Sequence, residues 1–227
     1  MSSSASPILF GLERSVYTRI ARLALEEKSV PYSLQEVEIF GSDGVPDGHL
    51  KRHPFGRIPM LQHGSFAIYE TSAINRYIDD AFQGARLQPS GVEQRARMNQ
   101  VIGVLDSYAY RPMVWGVFVQ RVSIPLSGGQ PDESLIATSL KAACTSLTAL
   151  EVLMGEASFL AGESVSLADL HTFPMLRYFC LAPEGLAALK RHERLYCWYQ
   201  AMLRRPSVTS TATCYEKGEQ LRDASPG

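Results

Sequence analysis

The chain has 227 residues and a formal net charge of −1, with 22 basic residues against 23 acidic ones. Such a balance lacks the basic footprint of a nucleic-acid-binding protein, so we expect no nucleic acid partner. Mean hydropathy is −0.06, and no apolar run approaches the ~20 residues that span a bilayer. The opening residues, which we expect to form a short disordered arm, lack a secretory signal. We therefore predict a cytoplasmic protein that does not enter a membrane.

The four cysteines show neither Cys-x-x-Cys pairing nor the spacing of a zinc site. We predict reduced thiols and no metal centre. The length and the 45% apolar content suit one large or two small packed domains.

Residues 7–85, within a first domain that we predict at 1–85, alternate between strand-like and helix-like patterns. The segments are, in order, a strand at Ile8–Phe10, a helix containing Val16, Ile20, Leu23 and Ala24, a strand at Tyr32–Ile39, a loop at Gly41–Gly48, a hairpin formed by Ile58–Gln62 and Ser65–Tyr69, and a helix containing Ala73, Ile74, Tyr77, Ile78 and Ala81. Strand periodicity alternates at every second residue, whereas the helical segments repeat every three or four. The order βαβ–ββα predicts an α/β domain.

After a linker at residues 86–91, the pattern is helical, and we predict an all-α domain at 92–227. The signals are apolar helices around Met98–Ala109, Ile136–Met154 and Leu195–Leu203, a loop at Ser123–Asp132, a capping box from Ser166 to Asp169, and a polar, loosely ordered tail from Ser207. The fold class is thus an α/β domain followed by an all-α domain.

The βαβ–ββα order, with Pro59 leading into the third strand, resembles the thioredoxin-like domain of cytosolic glutathione transferases. The segment Phe159–Leu170 is similar to the capping-box segment of that family's helical domain. Ser15–Arg19 and Phe55–Pro59 look most like the phi class and its bacterial relatives. The resemblance extends from about Ile8 to Pro206.

The resemblance implies a glutathione site in the first domain, with Ser15 as the catalytic residue. Pro59 would follow a cis peptide bond, so that the backbone of Ile58 could hold the cysteinyl part of glutathione. Glu70 and Thr71 would hold the γ-glutamyl end through a carboxylate, a hydroxyl and helix amides. Where this chain departs from the family, we expect Lys51 to replace one cation at the glycyl carboxylate, and we count Arg57 among the glutathione-binding residues.

Ser15 also has a plain structural interpretation, because serine is a favoured residue at a helix N-cap. The two roles are compatible: a helix N-terminus favours an anion, and a hydroxyl can donate to a thiolate. Some classes of the family use a tyrosine instead, but Tyr17 lies inside the helical pattern and is better explained by packing.

Two positions depart from the phi pattern. That pattern has a histidine–lysine pair in the loop after the second strand, whereas this chain has the segment 41–48 there and no such pair. The family commonly has glutamine where this chain has Arg57, whose guanidinium can hold a carboxylate or another anion.

The resemblance further implies conjugation of glutathione, a co-substrate rather than a permanent cofactor, to a small apolar electrophile, and a homodimer. Candidates for the electrophile pocket between the domains, with core packing as the alternative, are Leu12, Tyr108, Met113, Trp115, Phe118 and Val119. Other activities remain open: a glutathione-dependent isomerase, peroxidase or dehalogenase, or a non-catalytic binding or assembly protein.

Overall fold

The structure is a computed structural model that describes residues 6–41 and 44–217. The described residues form two compact units. The first contains the chain up to Arg86 together with the segment from Pro206, and the second is Leu87–Arg205. Residues 1–5 of the predicted disordered arm lie outside the described residues, as do residues 42 and 43 of the predicted loop.

The first unit confirms the predicted βαβ–ββα order. Its elements are β1 (Ile8–Gly11), α1 (Val16–Glu27), β2 (Ser33–Glu36), α2 (Asp47–Leu50), β3 (Met60–His63), β4 (Phe66–Tyr69) and α3 (Thr71–Ala81). The short α2 corrects the prediction of a loop up to Gly48. Pro46 precedes it at the N-cap, and the amides of His49 and Leu50 both donate to the Pro46 carbonyl.

The four strands form one sheet in the order β2-β1-β3-β4. β1 pairs with β2 in parallel, while β1–β3 and β3–β4 are antiparallel. Phe10 of β1 lies opposite Met60, and Met60 lies opposite Tyr69 at the end of β4. This register brings the end of β1, the start of β3 and the end of β4 to the same end of the sheet.

The joint between β1 and α1 is tight. A Cβ added to Gly11 would lie 2.3 Å from the Thr18 hydroxyl oxygen, so only glycine fits without a shift of α1. Ile20, Leu23 and Ala24, the residues with helical spacing in the sequence, are fully buried. The predicted amphipathic face of α1 is therefore the face that covers the sheet.

The second unit is helical, as predicted. Its helices are α4 (Val92–Val104), continued by π-helical segments at Leu105–Ala109 and Arg111–Ser123 into α5 (Ile124–Leu126), then α6 (Glu133–Met154), α7 (Leu167–Leu181), α8 (Pro183–Leu189) and α9 (Glu193–Leu203). The helical path to Leu126 corrects the prediction of a loop from Ser123. It ends at Ser127, because the next residue, Gly128, has a left-handed backbone (φ 80°) and the Gly129 amide donates to the Ile124 carbonyl at 2.9 Å.

The predicted capping box at the start of α7 is confirmed. The Asp169 carboxylate accepts from the Ser166 amide at 2.8 Å, and the Ser166 hydroxyl accepts from the Ala168 amide at 3.3 Å. Asp169 also accepts from the Leu160 amide and from the Trp198 indole. This buried carboxylate therefore joins the start of α7 to the preceding turn and to α9.

In the part of the chain that the structure describes, α6 is long and apolar enough by length and composition to cross a membrane. A core helix of a soluble protein passes the same test. The apolar residues Ile136, Ala143, Leu147 and Leu150 of α6 are buried within the second unit. Of the apolar window in this helix 33% is buried, so packing within the second unit accounts for part of its hydropathy.

The last described residues do not match the predicted loose tail. Pro206–Ser210 form a short helix, α10, and the later residues Thr211, Thr213 and Glu216 are buried. The segment groups with the first unit rather than with the predicted 92–227 domain, because Glu216 pairs with the buried guanidinium of Arg19 on α1 at 2.6 Å.

Candidate functional site

Three predicted site segments leave the same end of the sheet in the first unit. Ser15 follows β1, Pro59 precedes β3, and Glu70 follows β4. Residues next to these positions belong to one hydrophobic cluster, which contains Phe10, Leu12, Val37, Ile58 and Met60 with Tyr69 packed against it. The fold therefore brings together segments that are up to 55 residues apart in the chain, counted from Ser15 to Glu70.

Ser15 is the N-cap of α1, as the sequence predicted. Its backbone is extended (φ −77°, ψ 130°), and its hydroxyl oxygen accepts from the Thr18 amide at 3.3 Å. The hydroxyl proton is not used in that bond and can be donated to another group. The first turn of α1 carries no acidic residue, so the positive end of the helix dipole is not neutralised there. Ser15 thus combines a hydroxyl donor with a helix N-terminus that favours an anion.

The Ile58–Pro59 peptide bond is cis, which confirms that prediction. The preceding residue, Arg57, has an exposed side chain, and its carbonyl lies 2.7 Å from Nε2 of His49. His49 lies on α2 and is buried. A buried imidazole that donates to this carbonyl ties α2 to the turn before β3.

Glu70 is the N-cap of α3, and Thr71 is its first residue. Glu70 is exposed and has a left-handed backbone (φ 70°, ψ 111°), a region that favours glycine. Its carbonyl accepts from the amides of Ala73 and Ile74 at 2.9 Å. The helix therefore begins at Thr71, and the Glu70 side chain is exposed at its start without a capping bond to the helix.

The buried side chain of His53 interacts electrostatically with Glu70. His53 packs against the Tyr69 ring with centroids 4.5 Å apart. Burial lowers the pKa of His53; the nearby Glu70 carboxylate opposes this, while His49 and Arg57 add to it. His53 is therefore held towards its neutral form between one anion and two basic side chains.

Lys51 and Arg57 are both exposed at this end of the unit. Lys51 immediately follows α2, and Arg57 lies in the turn to which His49 bonds. The neighbouring Arg52 is instead directed at the β1 ring of Phe10, 4.7 Å from its centroid. All three cations are exposed, but the guanidinium of Arg52 lies over a ring, so Lys51 and Arg57 are the better candidates for contact with a soluble anion.

The six residues predicted to line an electrophile pocket differ in their surroundings. Leu12 is buried in the hydrophobic cluster of the first unit. In the second unit Met113 and Phe118 are buried, and Phe118 stacks on Tyr178 with centroids 4.3 Å apart. Val119 is half-buried. Tyr108 and Trp115 are exposed, and the Trp115 indole donates to the Tyr110 hydroxyl at 3.1 Å. The alternative of core packing therefore fits Leu12, Met113 and Phe118, whereas Tyr108 and Trp115 are open to solvent.

Sequence reasoning missed the roles of His49 and His53. Their spacing of four residues places them one helical turn apart, which is a weak signal in a segment rich in basic residues. The positive φ of Glu70 had no sequence signal, because glutamate does not favour that region. Among the described residues, no group of three or more His, Cys, Asp or Glu side chains is placed to hold a metal ion.

The comparisons with known proteins identify both domains of the chain. The model of the glutathione S-transferase N-terminal domain matches residues 14–81, and that of the C-terminal domain matches residues 98–206. The chain is 29% identical over 213 residues to glutathione S-transferase F10 of Arabidopsis thaliana, covering 92% of this chain and 95% of that protein.

Two solved structures show the same fold. Glutathione S-transferase I bound with lactoylglutathione has a TM-score of 0.81 at 25% identity, covering 92% of this chain and 99% of that one. The maize enzyme in complex with an atrazine glutathione conjugate has a TM-score of 0.79 at 26% identity, covering 91% and 96%. Matches to both domain models in order, together with full-length relatives of the F type, show that the chain belongs to the glutathione S-transferase family.

Proposed function

We propose that this protein conjugates the thiolate of glutathione to small apolar electrophiles. The observation that carries the proposal is the shared register of β1, β3 and β4, which places a capped helix N-terminus, a cis-proline turn and an acidic helix start at one end of a single sheet. These three features match the reactive, middle and terminal parts of a γ-glutamyl tripeptide.

Ser15 stabilises the thiolate in this proposal. The Ser15 hydroxyl, whose oxygen accepts from the Thr18 amide, donates a hydrogen bond to the sulfur anion and keeps its proton. Thiols at helix N-termini have a pKa below the usual ~8.5, and a tenfold gain in the ratio of thiolate to thiol corresponds to about 1.4 kcal/mol. The thiolate attacks an electrophilic carbon, a carbon–sulfur bond forms, and the leaving group departs with its electron pair.

The rest of the tripeptide is held by backbone and charge. The Ile58 backbone pairs with the cysteinyl part as a short added strand. The Glu70 carboxylate meets the ligand ammonium, and the Thr71 hydroxyl and first-turn amides of α3 meet its α-carboxylate. Arg57 and Lys51 meet the glycyl carboxylate, in place of the histidine–lysine pair that the phi pattern has.

The electrophile is apolar, and Tyr108 and Trp115 are the exposed aromatic candidates for contact with it. We further propose a homodimer and a cytoplasmic location. Phe55 and Phe66, both exposed on the first unit, are apolar side chains that a dimer interface on that unit would bury.

The function is tested by isothermal calorimetry with glutathione, followed by product analysis with an aromatic halide. We expect binding at or below millimolar glutathione and a stoichiometric glutathione adduct. Absence of binding at millimolar glutathione would contradict the proposal. Turnover that regenerates glutathione would instead point to an isomerase.

The role of Ser15 is separated from its capping role by a series of variants. Glycine is nearly as good as serine at an N-cap, whereas alanine is worse by about 1 kcal/mol. We therefore expect Ser15→Gly and Ser15→Ala to lose about 100-fold in kcat/KM alike, a typical effect of removing one preorganised donor. Ser15→Thr should keep activity within about tenfold, since the hydroxyl remains. Full activity in Ser15→Gly would remove Ser15 from the mechanism.

A further inference from the structure

The segment 206–217, which we call the carboxyl-terminal strap, lies along α1. Its first part contacts the end of that helix, where the Ser207 hydroxyl donates to Glu27. Its last residue, Lys217, bonds at 2.9 Å to Glu13, which lies two residues before Ser15. The strap therefore follows α1 from its carboxyl end back to the loop that precedes the proposed catalytic serine.

The centre of this contact is a buried ion pair. Arg19 is fully buried, and its guanidinium bonds to the Glu216 carboxylate at 2.6 Å and to the Val208 carbonyl at 3.2 Å. Glu216 also accepts from the amide and the hydroxyl of Thr213 at 2.9 and 3.0 Å. Both charges are thus desolvated and held by several partners, so removal of either one leaves an uncompensated buried charge.

Arg19 is directly linked to the proposed thiol site. It lies one helical turn after Ser15, and its amide donates to the Ser15 carbonyl at 2.9 Å. The guanidinium of the next turn, Arg22, donates to the Ser210 carbonyl of the strap at 3.4 Å. The sheet and α3 hold other faces of α1: Gly11 packs on Thr18, and the Asn75 amide donates to the Ile20 carbonyl.

We propose that the strap positions the amino end of α1, with Arg19 and Glu216 as positioning residues for Ser15. Neither residue touches the thiol. They keep the first turn of α1 in the orientation in which the Ser15 hydroxyl and the helix amides face the sulfur. Small displacements of catalytic groups have large effects on rate, about 100-fold for 1 Å. This inference rests on the proposed function of Ser15.

The test uses Glu216→Gln in the full chain, with two readouts. The first is hydrogen exchange of the amides of Val16–Arg19 without any ligand. The second is the thiol pKa of bound glutathione, measured by a pH titration of thiolate absorbance in the ultraviolet. We expect faster exchange at these amides, a higher thiol pKa and a loss of about tenfold in kcat/KM that shrinks as pH rises.

A milder variant, Glu216→Asp, keeps the charge and shortens its reach, so it serves if the glutamine variant does not fold. Glu216→Asp should also speed the hydrogen exchange of the Val16–Arg19 amides, by a smaller factor than Glu216→Gln does. The matched control is Glu151→Gln, which breaks a glutamate–histidine pair of 2.7 Å in the second unit and should leave the exchange of Val16–Arg19 unchanged.

If the amides of Val16–Arg19 exchange at the wild-type rate in both Glu216 variants, the inference is overturned, whether or not the protein binds glutathione. Failure of the wild-type protein to bind glutathione would contradict the proposed function instead. Faster exchange with an unchanged thiol pKa would show that the strap stabilises α1 without positioning Ser15, which also contradicts the proposal.

Discussion

Glu70 has a backbone conformation that glutamate seldom adopts. Its φ of 70° is in the left-handed region, where a non-glycine residue costs on the order of 1–3 kcal/mol. Glycine would avoid that cost, yet would have no carboxylate at the start of α3. The strained backbone and the exposed carboxylate together favour a role in ligand binding.

The Glu70→Gln variant keeps the side-chain shape and removes the charge. A charge-assisted hydrogen bond is about twice as strong as a neutral one, so we expect KM for glutathione to rise about tenfold with kcat nearly unchanged. Steady-state kinetics with glutathione varied at saturating electrophile measures both constants. Glu93→Gln, which neutralises an acid in the first turn of α4, is the control and should leave KM unchanged. An unchanged KM in Glu70→Gln would argue against contact with the ligand ammonium.

His53 predicts a pH dependence of stability. Its pKa is lowered in the folded protein, chiefly by burial, and Glu70, His49 and Arg57 are the charged or titratable groups that act on it. The unfolded chain therefore binds a proton more readily than the folded one near pH 6.5. The contribution of His53 to the free energy of unfolding is fully present above that pH and is lost as the pH falls towards the lowered pKa.

Urea denaturation between pH 7.5 and 5.5 measures this effect. The free energy of unfolding should fall with pH in the wild type and fall less in His53→Asn. The control His63→Asn removes another imidazole from the same unit and should keep the wild-type decline. Equal declines in all three proteins would show that His53 does not cause the pH dependence.

At the scale of the elements, short-range patterns predicted most boundaries. The apolar spacing of α1, the glycine between β3 and β4, and the capping box of α7 all involve residues within one or two turns of each other. Such patterns are visible in the sequence because the partners lie close along the chain. The continuous helix beyond Ser123 and the short α2 were missed, since glycine and proline in both segments favour loops.

Two acidic residues at helix starts in the second unit should contribute differently to the free energy of unfolding. The buried Asp169 carboxylate accepts from Ser166, Leu160 and Trp198, so Asp169→Ala leaves several buried donors unpaired and should cost at least about 3 kcal/mol. The matched control, Asp132→Ala, removes an exposed cap of α6 that accepts from the Leu135 amide, and should cost about 1 kcal/mol. Chemical denaturation of both variants gives the comparison. Equal losses of unfolding free energy in the two variants would show that the buried hydrogen bonds of Asp169 contribute no more than an exposed cap does.

At the scale of the whole molecule, α6 packs one apolar face, which includes Ile136, Leu147 and Leu150, within the second unit. The net charge of −1 adds no attraction to an anionic bilayer. We therefore expect the protein to stay in the unbound fraction when it is floated with vesicles of neutral or anionic lipid. Flotation with either vesicle would contradict this, and variants of the exposed α6 residue Val152 would then locate the contact.

The order of the strands and helices follows from the sequence alone, since hydrophobic periodicity and turn residues are local properties. The cis-proline turn, Ser15 as a helix cap and the acidic start of α3 were also predictable, the first by resemblance and the others from residue type. These predictions place the proposed site in the first domain, at the ends of β1, β3 and β4 that the register brings together.

Only the tertiary structure reveals what joins these segments. Arg19 and Glu216 are 197 residues apart, and no local pattern pairs a buried arginine with a residue near the end of the chain. The left-handed backbone of Glu70 and the buried state of His53 likewise depend on neighbours that the fold brings together. Local periodicity decides which elements form, whereas desolvation and long-range pairing decide how α1 and its serine are held.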